Sequence, residues 1–502
     1  MRKVWRILLI FIAVIALGYV GLNIFVSQKI KSLLSEEVGN GNIAYANYHF
    51  NWLSASFKLD SVTFIADENV ISASSIKVNK LNYSDYVFDG VLSVDAIQIN
   101  YPEVSLWKTT AKKQDSLPKN NGNENQKIKI GQIKLKQGNL SYSIDSTEVL
   151  TLQKYDVQFD DVVIDVENKS NKIPFSYQTI EVNGGKLNYI LSSLQTLTLD
   201  SLMIDEKAID IHQLQIKPNY SKANYVKVLT YEMDLMDISF HRVNFSDYRF
   251  DTQEKIGFSA SLLSMDSIQA DIHRNKLVAD DLTKKKMYSQ MLRDLPFDLS
   301  IDTLKLSQVD LTYEEVQEKT GETGSIFFKE MEVEAHHISN HPAGNDDFPE
   351  TKFDIKTQFM GKSPLSVQWR FHVNNPDDSF RITGAGHNIS PQQLNSFFVP
   401  AFNMKAEGDP IQDLYFDFYG NKYTANGNFK MVYDNVKIKV LKNDNKKSVN
   451  KLVTFVANLF VKSENKAREN DVEVEKVERD PTKSFWNYFW NCIMEGLKKT
   501  VI

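Results

Sequence analysis

Cysteine occurs once in this chain of 502 residues, at Cys492. No internal disulfide is available, so an exported fold built from this sequence rests on sheet and core alone. An excess of positive charge is also missing. The formal net charge is −6, which offers no basic surface to nucleic acid. No P-loop, dinucleotide fingerprint or nucleophile elbow is written anywhere in the sequence, so no cofactor is announced and no acyl-transfer chemistry either. No fixed repeat period is present, and a propeller or strict solenoid would show one.

What the chain does contain is a ten-residue phrase in several copies. It reads IKLKQGNLSY (Ile133–Tyr142), IEVNGGKLNY (Ile180–Tyr189) and LKLSQVDLTY (Leu304–Tyr313), with looser copies IQINYPEVSL (Ile97–Leu106) and LMIDEKAIDI (Leu202–Ile211). Positions 1, 3, 8 and 10 are apolar and those between are mostly polar, the mark of a strand with one apolar face. The odd step from position 3 to position 8 would swap faces in a straight strand, so a bulge or tight turn at position 6 is required. Gly138, Gly185 and Pro102 stand at that position, and all three suit a break in a ladder. Alternation also runs through Phe57–Ala66, Tyr155–Val166, Lys352–Met360 and Leu365–Val373.

The predicted fold class is therefore mainly β, a long antiparallel sheet of hairpins and meanders. Two such faces closing on each other make a sandwich. A single curved sheet instead presents an apolar groove to an apolar ligand. In that arrangement the groove is lined by Ile133, Leu135, Leu140, Tyr142, Ile180, Val182, Leu187, Tyr189, Leu304, Leu306, Leu311 and Tyr313, with Lys134, Lys136 and Glu181 on the wet side.

The first residues set the expected compartment. Arg2, Lys3 and Arg6 precede an aliphatic run from Ile7 to Val26, the length needed to cross a hydrocarbon core. Positive charge ahead of the span predicts a cytoplasmic N-terminus and a single-pass inner-membrane protein whose bulk lies in the periplasm. Lys29 and Lys31 after the span weaken that asymmetry slightly. A cleaved signal peptide is the competing reading, but the run is long for an h-region and neither a convincing A-x-A site nor a lipobox cysteine follows it.

Punctuation divides the chain into a basic segment (1–6), an anchor (7–26), a first β segment (27–107), a polar loop (108–127), a main β domain (128–440) and a C-terminal helical segment (441–502). A helical pattern interrupts the main domain over 280–295, ended by Pro296, and a second short helix is expected to begin at Ser390-Pro391. Val449–Val461 has apolar residues at helical spacing, and a charged stretch separates it from an aromatic helix over 482–500. In that last helix Phe485, Trp486, Phe489 and Trp490 share a broad face with Ile493, Met494 and Leu497. Such a face can lie on a membrane, dock into the end of an apolar groove, or pack on the sheet as core.

Enzyme signals are weak. His336, His337 and His341 cluster, but the spacing matches no zinc motif, and Asn340 and Pro342 suggest a loop. Paired carboxylates (Asp160-Asp161, Asp280-Asp281, Asp346-Asp347, Asp377-Asp378) fall where turns are expected. No catalytic or metal site is assigned.

A single N-terminal span followed by one-sided strands with Pro or Gly breaks resembles the AsmA-like proteins of diderm bacteria. The resemblance is densest over Ala406–Val440, which is similar to that family's terminal element. Its G-x-I-x-x-L and G-x-F-x-x-x-Y-x-x-L positions fall on Gly408, Ile411, Leu414, Gly427, Phe429, Tyr433 and Val436, the last in place of leucine. The segment RDPTKSFWNYFW that follows looks like the closing helix of shorter members. The resemblance implies a long curved sheet with a hydrophobic groove, anchored in the inner membrane, that moves or balances phospholipid or another acyl lipid between the two membranes. The alternative partner is an outer-membrane protein segment, bound by pairing with an open sheet edge. If the orientation is right, a reporter active only in the cytoplasm, fused after Ile502, gives no signal; strong activity would reverse the topology.

Overall fold

The computed structural model describes residues 41–51, 54–66, 68–82, 85, 91–109, 127–165, 175–251, 256–341, 348–441 and 471–501. The expected anchor (7–26), the body of the polar loop and the expected helix over 449–461 lie outside them. Among the described residues, no helix is long and apolar enough to cross a membrane.

The strands are β1 (Gly41–Ala44), β2 (Asn47–Asn51), β3 (Ser56–Ala66), β4 (Asn69–Asn82), β5 (Leu92–Asn100), β6 (Glu103–Lys108), β7 (Lys127–Ile144), β8 (Thr147–Asp165), β9 (Phe175–Ser176), β10 (Thr179–Gly184), β11 (Leu187–Ile190), β12 (Gln195–Leu199), β13 (Ser201–Ile204) and β14 (Ala208–Pro218). They continue as β15 (Leu235–Ser246), β16 (Arg249–Asp251), β17 (Gly257–Asn275), β18 (Asp298–Val316), β19 (Thr323–Ser339), β20 (Thr351–Phe359), β21 (Ser363–Phe371), β22 (Phe380–Ile389), β23 (Met404–Glu407), β24 (Ile411–Gly420), β25 (Thr424–Val432), β26 (Lys437–Val440) and β27 (Asp471–Glu478). Four α-helices accompany them: α1 (Lys222–Tyr225), α2 (Tyr288–Arg293), α3 (Asn395–Phe402) and α4 (Phe485–Val501).

Mixed sheet takes up 25 of the strands, and β23 with β26 forms a separate antiparallel pair. The sheet is not purely antiparallel as expected, because β5 and β6 both pair with β7 in parallel. Parallel neighbours need a crossover of a dozen or more residues. The polar 108–127 stretch is that connection. Two compact units result, 1–215 with 244–257, and 216–243 with 258–502. They part inside the 128–440 stretch that the sequence assigns to one domain.

In the first unit Ile133–Tyr142 folds within one bulged strand, β7. Ile97–Leu106 is divided between β5 and β6, Ile180–Tyr189 between β10 and β11, with the break at Gly185 as expected, and Leu202–Ile211 between β13 and β14. Tyr101, Gln137 and Gln308 all have φ near +50° (50°, 51° and 53°), which places the left-handed residue at position 5, one step before the expected break. Position 6 then turns inward: Pro102, Gly138 and Val309 are all buried. The Tyr101 N–H donates to the Lys136 carbonyl at 2.8 Å, whereas at the β7–β8 and β18–β19 bulges side chains across the strand accept the freed N–H groups. Gln137 N donates to Asp156 Oδ1 at 2.7 Å and Lys154 N to Asn139 Oδ1 at 3.1 Å. In the second unit Gln308 N donates to Glu332 Oε1 and Glu330 N to Asp310 Oδ1, both at 3.1 Å.

The bulges keep the apolar side chains in rows. Registered pairs carry one row through Tyr48, Leu59, Ile76, Ile99, Leu135, Val157, Val182, Ile204 and Ile209. A second runs Phe57, Val78, Ile97, Ile133, Phe159, Ile180. Beyond the bulge a third runs Ile71, Val104, Leu140, Leu152, Leu187, Leu199. Directly paired residues point to the same side, so all three rows share one face.

The second unit is built the same way. One row passes through Leu306, Val333, Ile355, Val367, Gly384, Phe416, Phe429 and Val472. Here α4 lies on the sheet. Two expected helices differ from the sequence reading. Over 280–295 only Tyr288–Arg293 is helical, because Thr283 N bonds Asp281 Oδ1 and Lys285 N bonds Pro481 O instead of closing helical turns. The helix expected at Ser390-Pro391 starts at Asn395, since the Ser390 hydroxyl donates to Gln392 Oε1 and a turn intervenes.

Gly138 sits beneath its cross-strand partner Tyr155: a Cβ there would lie 2.3 Å from the ring carbon Cζ. Tyr155 is itself buried. Gly138→Ala should therefore cost about 1–3 kcal/mol by overpacking. Asp156→Ala, which removes only the bulge acceptor, should cost less, about 0.5–1.5 kcal/mol. Urea unfolding midpoints of the two variants check the order, and equal or reversed losses would discount the ring-over-glycine contact.

Candidate functional site

Of the twelve residues picked out by the phrase, eight lie in the first unit, and registered pairing joins them through strand β8. Ile133 and Ile180 face Phe159 from either side, Leu135 and Val182 face Val157, Leu140 and Leu187 face Leu152, and Tyr142 and Tyr189 face Leu150. The β8 residues are part of this face too: the sequence shows the alternation over Tyr155–Val166, but only the registered pairing puts Leu150, Leu152, Val157 and Phe159 beside the phrase residues. Leu140, Val182 and Tyr189 are buried; the other five are half-buried. Ile71, Ile76, Ile99, Leu197 and Ile204 are also partly buried members of the same cluster.

The opposite face is wet. Lys136, Glu181, Asn139 and Asn188 are exposed, and Lys134 is half-buried. Its polar groups tie strand to strand. Asp160 accepts from Gln132 at 2.7 Å, Gln158 at 3.0 Å and Thr179 at 2.8 Å. Burial pushes this carboxyl up, but the three donors outweigh it and hold it below its ordinary value.

Leu304, Leu306, Leu311 and Tyr313 belong to the second unit, all half-buried, opposite Ala335, Val333, Phe328 and Ile326. Tyr313 donates its hydroxyl to Glu315 at 2.7 Å. Burial and that carboxylate together raise the phenol far above its ordinary pKa. All four α-helices with described bounds fall in this unit.

The aromatic face of α4 is spent on the sheet. The Phe485 ring lies 5.2 Å from Trp369 and 5.1 Å from Phe380, and Phe489 lies 5.3 Å from Phe416. Trp490 meets Phe397 of α3 edge-on at 6.0 Å. Gly496 allows this approach, since a Cβ would come within 2.4 Å of the Phe429 ring. Trp486 points outward and bonds Tyr288 through its indole N–H at 2.9 Å. Cys492, on the inner side, is buried, which pushes its thiol pKa up to about 12. Ala406–Val440 folds as the β24–β25 hairpin flanked by the β23–β26 pair, with Phe429 and Tyr433 in the core.

The histidines do not converge on a ligand. His336 is 3.4 Å from Glu334, and His341 is 3.1 Å from Asp298. Among the described residues no group of three or more His, Cys, Asp or Glu is arranged to hold a metal. Of the paired carboxylates, Asp378 takes Arg293 and Ser289, both at 2.9 Å, and Asp280 takes Lys483 at 2.9 Å. Asp346 and Asp347 lie outside the described residues. No protein-family profile matches this chain, and no curated protein matches it in sequence.

The two roles open to the terminal helix separate by mutation. Phe485 is 3% exposed, so Phe485→Ala should destabilise the protein by about 3–5 kcal/mol. Trp486 is 47% exposed, and Trp486→Ala should change the melting temperature little. The reverse ranking in thermal unfolding would mean that this face is not core.

Proposed function

We propose that this protein is a non-enzymatic lipid-binding protein of the cell envelope, anchored in the inner membrane by residues 7–26, with the bulk of the chain in the periplasm. Its ligand is a phospholipid or another acyl lipid, carried between inner and outer membranes. The observation that carries this reading is the set of apolar rows crossing the first unit on a single face. Many of their members are only half-buried, and no helix with described bounds belongs to that unit. Half-buried aliphatic side chains in rows suit an acyl chain. Each methylene kept from water is worth about 0.8 kcal/mol, and the contact needs no hydrogen-bonding partner. A ligand of this kind leaves no polar signature, which agrees with a face made of Ile, Leu, Val and Phe with a few tyrosines.

Leu135 and Val182 both face Val157 yet differ in depth, and the difference makes the test. Val182 is 1% exposed, so Val182→Asp buries an unpaired charge and should unfold the unit at a cost of several kcal/mol. Leu135 is half-buried, so the carboxylate of Leu135→Asp can reach water or displace lipid. The expected result is near-native melting for Leu135→Asp with co-purified phospholipid, measured by mass spectrometry, largely lost. Native melting with lipid retained would remove Leu135 from the lipid path, and a wild-type protein purified without lipid would remove the proposal.

A further inference from the structure

Sixteen large apolar side chains stand exposed among the described residues, and five of them fall on two neighbouring segments of the second unit. Val228, Tyr231 and Met233 lie on 219–234, the connection from β14 to β15. Leu277 and Leu282 lie on 276–287, between β17 and α2. Leu282 is 73% exposed and Leu277 58%, far more than packing within the fold would leave. The segments are bound together, because Glu232 N donates to Ala279 O at 2.8 Å. A clustered apolar patch of this kind marks a contact surface.

Charge decides what it contacts. Segment 219–234 has Lys222 and Lys227 against Glu232 and Asp234, and segment 276–287 has Lys276, Lys284, Lys285 and Lys286 against Asp280 and Asp281; six cations less four anions leave +2 in a chain of net −6. All four carboxylates are already answered. Asp234 holds Arg274 through two hydrogen bonds of 2.6 and 2.9 Å, Glu232 and Asp280 share Lys483 at 3.3 and 2.9 Å, and Asp281 pairs with Lys285. Lys222 pairs with Glu314, Lys276 with Glu315 at 2.7 Å and Lys286 with Asp294 at 2.7 Å, so the charge left over is that of Lys227 and Lys284. Lys227 reaches only the Asn224 amide, and Lys284 meets no acidic partner among the described residues. A partner strand would need a free sheet edge, whereas these segments join strands and belong to no sheet. Aliphatic tips, a tyrosine and free lysines on a rigid clamp suit the interface of an anionic bilayer.

We propose that the 219–234 and 276–287 segments form a membrane-docking patch for anionic lipid headgroups, with Tyr231, Leu277 and Leu282 entering the interface and Lys227 and Lys284 facing the phosphates. The patch stands independently of lipid carriage: docking without carriage would show as vesicle binding by a protein that holds no lipid.

The test uses the full chain in nanodiscs of neutral phosphatidylcholine, mixed with separate vesicles containing or lacking phosphatidylglycerol. Flotation should recover the protein with the anionic vesicles. Each lysine lost in Lys227→Glu and Lys284→Glu should weaken binding about fivefold at low salt. Tyr231→Ser with Leu282→Ser should abolish it while the melting temperature holds, since both side chains are exposed. Leu282→Cys carrying an environment-sensitive dye, selective because Cys492 is buried, should shift to the blue when anionic vesicles are added. Unchanged flotation in the serine variant, equal recovery with neutral vesicles, or a dye that stays in water would each overturn the docking patch.

Discussion

The left-handed bulge is the constraint on which the rest of this fold depends. In long strands such as β7 and β18 the apolar pattern changes parity midway, between Leu135 and Leu140 and between Leu306 and Leu311, so one apolar face survives only if side-chain parity is corrected there. An extra residue corrects it, but a non-glycine residue at φ near +50° costs about 1–2 kcal/mol. The structure offsets that cost locally. A carboxylate or amide on the partner strand accepts the freed N–H, and the residue after the bulge turns inward beneath a large neighbour, as Gly138 does under Tyr155. Bulges also add local twist, so the device that preserves the apolar face is also the one that coils the strands around it.

The same face meets different fates in the two units. In the second, α4 supplies Phe485 and Phe489 to close the face over Trp369, Phe380 and Phe416. That closure needs glycine on the helix at Gly496 and glycine in the sheet at Gly384, where a Cβ would stand 2.2 Å from the Phe416 ring. In the first, the middle of the rows keeps half-buried isoleucine and leucine. Among the described residues the contrast is one of packing: aromatic rings from a helix meet the second face, and half-buried aliphatic side chains mark the first.

Much of this was legible in the sequence, and the misses have physical causes. Period-2 alternation located the strands because parity is a local property of the chain. The break falls at position 6 as expected in the Ile180–Tyr189 copy, at Gly185, but in three others it comes one position earlier, at the left-handed Tyr101, Gln137 or Gln308, because glycine and proline mark position 6 in the sequence and no residue type marks position 5. The acceptor at position 7, Asn139 or Asp310, was visible as a recurring small polar residue, but its partner lies on another strand. Parallel pairing of β5 and β6 with β7 was hidden because both directions share one alternation. Over 280–295 a helical period stood in the sequence, yet Asp281 and the carbonyl of Pro481 captured the backbone donors, a tertiary choice that no local window contains.

With no disulfide available, long-range fastening falls to charge. Glu232 and Lys483 are 251 residues apart and meet at 3.3 Å, and Arg293 reaches Asp378 and the carbonyls of Val373 and Asn375. Partly buried pairs of this kind give little net stability, because desolvation offsets most of the attraction, but removing one partner leaves an uncompensated charge. They therefore specify where segments sit more than how strongly they are held. That division of labour suits this protein. The ladder and its rows supply the free energy, and the charged clamps fix the loops of the second unit.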